Sequence, residues 1–309
     1  MSSYLILSIG IALAALGGDL FVRGILGIAR WLRVPAGVVA ATLAAFATSA
    51  PELSIGVNAA LAGAPQIAIG DSLGSNVVNL GLILGAMLIL GGVRIAKETL
   101  TRNLAAAALA PVATAALMVE GELGRLHAAA LMGLFFAWLA ATLIDAHRRR
   151  TPADALAGKV KVLTAAQLAV GLAAMAVGGH LIVVGASGLA TSWGVDQFIV
   201  GALITAIGTS TPEIAVALTS RFRGHGDLSL GTLLGSNIFN GLFIVPLVCL
   251  IEPASVPLRE ALPVLGFGLV VVALAYPGRG GARPRGRGFL LGATYTAFVM
   301  ALLPTGGSP

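Results

Sequence analysis

Two glutamates raise the chemical question in this chain. Glu52 and Glu213 each close a Thr-Ser-x-Pro-Glu sequence, at 48–52 and 209–213, and each lies inside a long apolar stretch. A carboxylate at the centre of a membrane-spanning helix costs ~2.5–3.5 kcal/mol on insertion scales, so two at matching positions require a function or a partner. No Lys or Arg occupies the central part of either stretch, which leaves protonation or a bound cation to compensate the charge. Proline has no N–H, and its ring displaces the carbonyl four residues earlier, Ala47 or Gly208, so each helix is expected to unwind there. The carbonyls of Ala45, Ala47, Ala206 and Gly208 would then be free to coordinate a cation, and Thr48, Ser49, Thr209 and Ser210 add hydroxyls. A plain proline kink with back-bonded Ser and Thr is the alternative for either copy taken alone.

A second pair of motifs follows. Ser75 and Asn79 are four residues apart and share a helix face, as do Ser236 and Asn240. They are oxygen donors again, although the glycine pairs Gly70/Gly74 and Gly231/Gly235, with the amides, would equally serve close helix packing. Together the motifs offer two carboxylates, two side-chain amides, hydroxyls and carbonyls, without a thiol or an imidazole. Calcium takes ~6–8 oxygen ligands, whereas zinc or copper would call for His or Cys. Two carboxylates balance one Ca²⁺ or two Na⁺. That equivalence is a physical basis for exchange, because the empty site holds two uncompensated charges and resists switching.

These motifs must be held by membrane helices. With 57% hydrophobic and 10% charged residues in 309 and a mean hydropathy of +0.96, the chain cannot be a water-soluble globule. Its polar breaks divide it into about ten spans, near 4–29, 35–61, 66–91, 100–119, 126–146, 165–190, 195–221, 227–251, 258–276 and 288–304. Sixteen of the nineteen Lys and Arg fall in inside loops if the N-terminus is outside, against Arg125 and Arg259 outside and Arg23 within the first span. An even number of spans returns the C-terminus outside, and the expected location is the cell (inner) membrane. The net charge of +6 then reflects short cytoplasmic loops beside anionic lipid and implies no nucleic-acid partner. The first stretch lacks a basic n-region and exceeds an h-region, so it reads as a retained span. Cys249 is the single cysteine and the four histidines are scattered, so neither a disulfide nor a resident metal or other cofactor is expected. No obligatory protein partner is implied.

An internal repeat organises the whole. A shift of 161 residues brings 15–79 onto 176–240 with 23 identities in 65 positions and no gap, including every Thr, Ser, Pro, Glu and Asn of the motifs. Five spans per copy is an odd number, so the second copy enters the membrane from the opposite side and the motifs meet near the midplane. The expected fold is an all-α membrane protein of ten transmembrane helices in two inverted five-helix repeats. The repeats cover 1–146, with its motif region at 35–91, and 165–309, with its motif region at 195–251. Residues 147–164 form a cytoplasmic linker.

The paired Thr-Ser-x-Pro-Glu and Gly-Ser-Asn-x-x-Asn motifs resemble those of the sodium/calcium exchangers of the calcium/cation antiporter superfamily, over essentially the whole chain. The resemblance implies antiport of Ca²⁺ against Na⁺ by alternating access, with the first and sixth spans sliding across the rest. It also implies ion ligands at Ala45, Thr48, Ser49, Glu52, Ser75, Asn79, Ala206, Thr209, Ser210, Glu213, Ser236 and Asn240. Two residues depart from the pattern: Ala47 where glycine is usual, and Asn240 where many sodium/calcium members have aspartate. The second departure removes one acid, bears on the counter-ion number and keeps proton/calcium exchange open. A channel fits less well than a carrier, because inverted repeats with broken helices suit alternating access. A hydrolase using Ser49 or Ser210 lacks a nearby His or Lys base. Asp71 lies on the Ser75/Asn79 face toward the outside, where it would capture cations or serve as an interfacial acid. Asp19 and Arg23 are spaced to pair. His180 reads as a pH sensor or, more simply, a packing histidine, and Trp31 and Trp193 as interface anchors.

Overall fold

The computed structural model describes residues 3–34, 36–61, 63, 65–91, 97–117, 122–148, 162–192, 206–255, 258–276 and 285–302. Most of the expected linker, the first half of the seventh span and Trp193 lie outside the described residues.

In chain order the helices are α1 (Ser3–Leu32), α2 (Ala36–Val39), α3 (Ala45–Thr48), α4 (Ala50–Leu61), α5 (Pro65–Val77), α6 (Gly85–Ile89), α7 (Lys97–Leu117) and α8 (Arg125–Arg148), then α9 (Val162–Ser192), α10 (Ala206–Thr209), α11 (Thr211–Phe222), α12 (Gly226–Phe239), α13 (Val245–Ile251), α14 (Leu258–Ala275) and α15 (Arg285–Leu302). Among the described residues, three π-helical segments, Ala40–Ala44, Val78–Leu84 and Asn240–Ile244, join α2 to α3, α5 to α6 and α12 to α13. Wherever an expected span is described, it coincides with helix, and the ends differ by a few residues. Among the described residues, four helical stretches are long and apolar enough to cross a membrane: Ser3–Leu32, Ala68–Ile89, Arg125–Arg148 and Leu228–Ile251. The pair Gly37–Thr48 and Ala50–Leu61, bent by 45°, makes a fifth if it is one broken span.

The distribution of polarity is that of a protein in lipid. Phe136, Leu143, Ile144, Phe289 and Met300 are exposed, while Glu52, Glu213, Asn79 and Asn240 are fully buried. Apolar side chains facing outward cost nothing against acyl chains, so the interior is free to be polar.

Small residues set how the helices cross. A Cβ on Gly17 would stand 2.8 Å from the Gly171 carbonyl oxygen, and one on Gly178 would stand 2.8 Å from the Ala14 nitrogen and the Gly10 carbonyl. Partners fall in number along α9 as they rise along α1, so the two helices run antiparallel with backbones nearly touching. By contrast Gly231 meets the Gly37 carbonyl and Gly235 the Ala41 carbonyl, so α12 runs parallel to the 36–48 stretch. That realises the close packing expected of Gly231 and Gly235.

Polar contacts bind the helix ends. A two-residue antiparallel ladder pairs Glu122–Leu123 (β1) with Ala254–Ser255 (β2). Beside it, Arg125 Nε donates to the Leu250 carbonyl at 3.1 Å and caps α13. At other helix ends Arg102 pairs with Asp145 at 3.1 Å. Gly91 adopts φ +150° with the Arg221 guanidinium over it, a place no side chain could share. Asp19 pairs with Arg23 at 2.8 Å as expected, and also takes Arg223 from the end of α11. Trp31 is half-exposed at the end of α1, as an interface anchor should be. His180 is exposed on α9, which corrects the reading of a packed histidine. The face of α9 that meets α1 carries Gly171 and Gly178 together with Thr164, Leu168 and Met175.

Candidate functional site

The site is built where α3, α4, α5, α11 and α12 converge. Ser49 is the hinge between α3 and α4, at φ −84° and ψ 13°. Ser210 is its counterpart between α10 and α11, at φ −79° and ψ 7°. Each hinge delivers its glutamate in the first turn of the following helix, where the helix dipole favours an anion.

The hinges are tighter than the prolines led us to expect. The Ser49 N–H donates to the Ala45 carbonyl at 3.0 Å and the Ser210 N–H to the Ala206 carbonyl at 3.1 Å. The Thr48 hydroxyl donates to the same Ala45 oxygen at 3.3 Å, and Thr209 to Ala206 at 3.2 Å. The Ala47 carbonyl also receives a backbone N–H at the end of α3. The expectation of free carbonyls at Ala45, Ala47 and Ala206 is therefore corrected. Proline removes only the bond from its own nitrogen, and the serine two residues earlier keeps its N–H. Each of these two carbonyls thus already accepts from a serine N–H and a threonine hydroxyl.

The two carboxylates differ. Glu213 Oε1 accepts from Ser236 Oγ at 2.9 Å and from Ser49 Oγ at 3.3 Å. Thr48 joins this cluster through Ser236, oxygen to oxygen 3.4 Å. Neither oxygen of Glu52 has a hydrogen-bond partner among the described residues. The same holds for Ser75 Oγ, Asn79 Oδ1, Ser210 Oγ, Glu213 Oε2 and both side-chain atoms of Asn240. Buried polar atoms are almost always satisfied, so a set of unpaired oxygens around two acids marks a place for a ligand. Two carboxylates at such a place suit a cation by charge. Among the described residues no three His, Cys, Asp or Glu side chains form a metal cluster, so neutral oxygens must complete its shell.

One part of the arrangement was not read from the motifs. Asn76 Nδ2 donates to the Asn237 carbonyl at 3.2 Å, and Asn237 Nδ2 donates to the Asn76 carbonyl at 3.0 Å. The two residues are 161 apart, so each meets its own repeat counterpart. Asn79 Nδ2 completes the group by donating to Asn237 Oδ1 at 3.0 Å. The repeated Gly-Ser-Asn was the available signal. The π turns are a second feature without a sequence cue: Asn79 lies in one and Asn240 begins another. Such turns are frequent at functional sites because they re-aim side chains. Asn237→Leu, which removes the two of these bonds that use the Asn237 side chain, is expected to destabilise the fold by about 2–4 kcal/mol. Thermal unfolding in detergent measures it, and an unchanged midpoint would show the pair to be incidental.

The sodium/calcium exchanger protein family model matches residues 2–144 and 163–303. The chain is 27% identical to the sodium/calcium exchanger MaX1 of Methanosarcina acetivorans, over 97% of this chain and 98% of that one. It is 28% identical to the inner membrane protein YrbG of Escherichia coli, covering 89% and 90%. A solved structure of the sodium-calcium exchanger NCX_Mj, soaked with Na⁺ and Sr²⁺, superposes with a TM-score of 0.84 at 26% identity, covering 97% of this chain and 98% of that one. With the family match spanning both halves and the hinged glutamates in place, the chain belongs to the sodium/calcium exchanger protein family.

Proposed function

We propose that this protein is a secondary antiporter that exchanges Ca²⁺ for Na⁺ by alternating access. The observation that carries the reading is the pair of fully buried glutamates, Glu52 and Glu213, inside a shell of unpartnered oxygens. An uncompensated pair of buried charges is untenable. One Ca²⁺ or two Na⁺ neutralise it equally, so either load lets the protein switch while the empty site does not. Thr48, Ser49, Ser75, Asn79, Thr209, Ser210, Ser236 and Asn240 supply neutral ligands, and Ala45 and Ala206 join when their threonines yield. The names of MaX1 and NCX_Mj support the ion pair.

The architecture that goes with this function is ten spans in two inverted five-helix repeats, 1–146 and 165–309, joined by the 147–164 linker. The antiparallel α1/α9 contact supports it, since corresponding helices of inverted copies run oppositely. The basic-residue asymmetry supports a cell-membrane protein with both termini outside. Flux in proteoliposomes tests the coupling. An imposed Na⁺ gradient should drive ⁴⁵Ca²⁺ uptake, and a pH gradient without Na⁺ should not. Uptake driven by ΔpH and indifferent to Na⁺ would replace Na⁺ by H⁺ as the counter-ion.

A further inference from the structure

We propose that Asp71 is a third carboxylate of the ion pathway, holding one Na⁺ together with Thr209 at the outer mouth of the Glu52/Glu213 site. The inference rests on the Na⁺-coupled reading above. Asp71 sits in α5 one helical turn before Ser75 and two before Asn79, so the three share a face. Its Oδ1 accepts from Thr209 Oγ1, in the other half of the chain, at 3.5 Å. Its Oδ2 is buried and without a partner among the described residues, and no described basic side chain pairs with it. Ser210, the residue after Thr209, is fully buried and its hydroxyl is unpartnered among the described residues.

The charge arithmetic gives this carboxylate its role. Glu52 and Glu213 provide two negative charges, and Asn240 provides none. Asp71 adds a third negative charge, which a third monovalent ion would neutralise, and the fold brings it against Thr209 beside the Ser210 hinge. Its repeat counterpart is Thr232, so the extra charge belongs to the first half alone, at the end of α5 expected outside. Ca²⁺ needs only the two glutamates. Asp71 is partly exposed, whereas Glu52 and Glu213 are fully buried. A single carboxylate with a hydroxyl suits a singly charged ion, since a divalent one would stay half-neutralised.

Displacement of ⁴⁵Ca²⁺ from purified protein by NaCl, with choline chloride holding ionic strength, tests this. Hill coefficients of about 3 for wild type and about 2 for Asp71→Asn are expected, one ion fewer for one charge fewer. The half-displacing Na⁺ concentration should rise roughly 3–10-fold in that variant, an effect of about 0.7–1.4 kcal/mol. Asp71→Glu should keep the steepness, and Asp71→Ser repeats the measurement with a smaller uncharged side chain if the amide does not fold. An Asp71→Asn curve that overlays wild type sinks the proposal, as does equal loss of steepness in Asp71→Asn and Asp71→Glu. Wild-type protein from which Na⁺ displaces no Ca²⁺ would overturn the coupling ion as well, so the two failures are told apart by the wild-type arm.

Discussion

Glu213→Gln is expected to lower exchange by at least about 100-fold, equivalent to about 2.7 kcal/mol, while the protein still folds. The amide is nearly isosteric, and its oxygen can go on accepting from Ser236 and Ser49, the two bonds Glu213 Oε1 now holds. What disappears is one of two negative charges facing a divalent ion, in a place where water cannot substitute. Glu52→Gln should do the same for a different reason. Glu52 has no described hydrogen bonds to lose, so its variant should be at least as stable as wild type and equally inactive. The measurement is ⁴⁵Ca²⁺ uptake per folded molecule, with the unfolding midpoint taken on the same sample. Wild-type flux in either variant would remove these residues from the site. A variant that fails to fold would show instead that the carboxylates are structural.

The second large effect is steric. Gly235→Ala places a methyl against the Ala41 carbonyl and 2.7 Å from the Ala45 Cβ, a contact that real structures do not tolerate. Neither neighbour is the far end of a flexible chain, so α12 must separate from the 36–48 stretch at a cost of about 1–3 kcal/mol. The next residue, Ser236, is the closest hydrogen-bond donor to Glu213, so transport should fall beyond what the stability loss explains. Gly266→Ala is the control, because nothing stands within 4 Å of the added methyl there. It should be neutral, or stabilising by up to about 1 kcal/mol from helix propensity. Equal unfolding midpoints for the two variants would refute the close crossing.

Much of this arrangement could be read from the chain, and the reasons for what could not are specific. The 161-residue shift identified Glu52 with Glu213 because carboxylates in apolar stretches are rare enough to count as signal. The helix ends followed from polar breaks: 126–146 was expected and Arg125–Arg148 is observed. The helices were expected to unwind at Ala47 and Gly208 and to free the neighbouring carbonyls; they break at Ser49 and Ser210, yet the carbonyls of Ala45 and Ala206 keep their serine donors. A rule about proline speaks only for proline's own nitrogen. The π turns had no such cue; Gly81 within one packs against Tyr295, and Gly85 just after it against Gly288, contacts between distant helices. Pairing of Asp19 with Arg23 was legible as an i,i+4 spacing, whereas Arg223 reaches it across 204 residues, where spacing is silent.

The reciprocal bonds between Asn76 and Asn237 have the form of an isologous contact, in which a residue on a dimer's dyad meets its own copy. A chain that once assembled as two identical subunits would have used one asparagine twice at this point, and every substitution would have struck both sides of the pathway together. Fusion of the two copies lifts that constraint. An acid such as Asp71 can then be placed on one side of the membrane and withheld from the other, so that a transporter built on symmetry can still distinguish outward from inward.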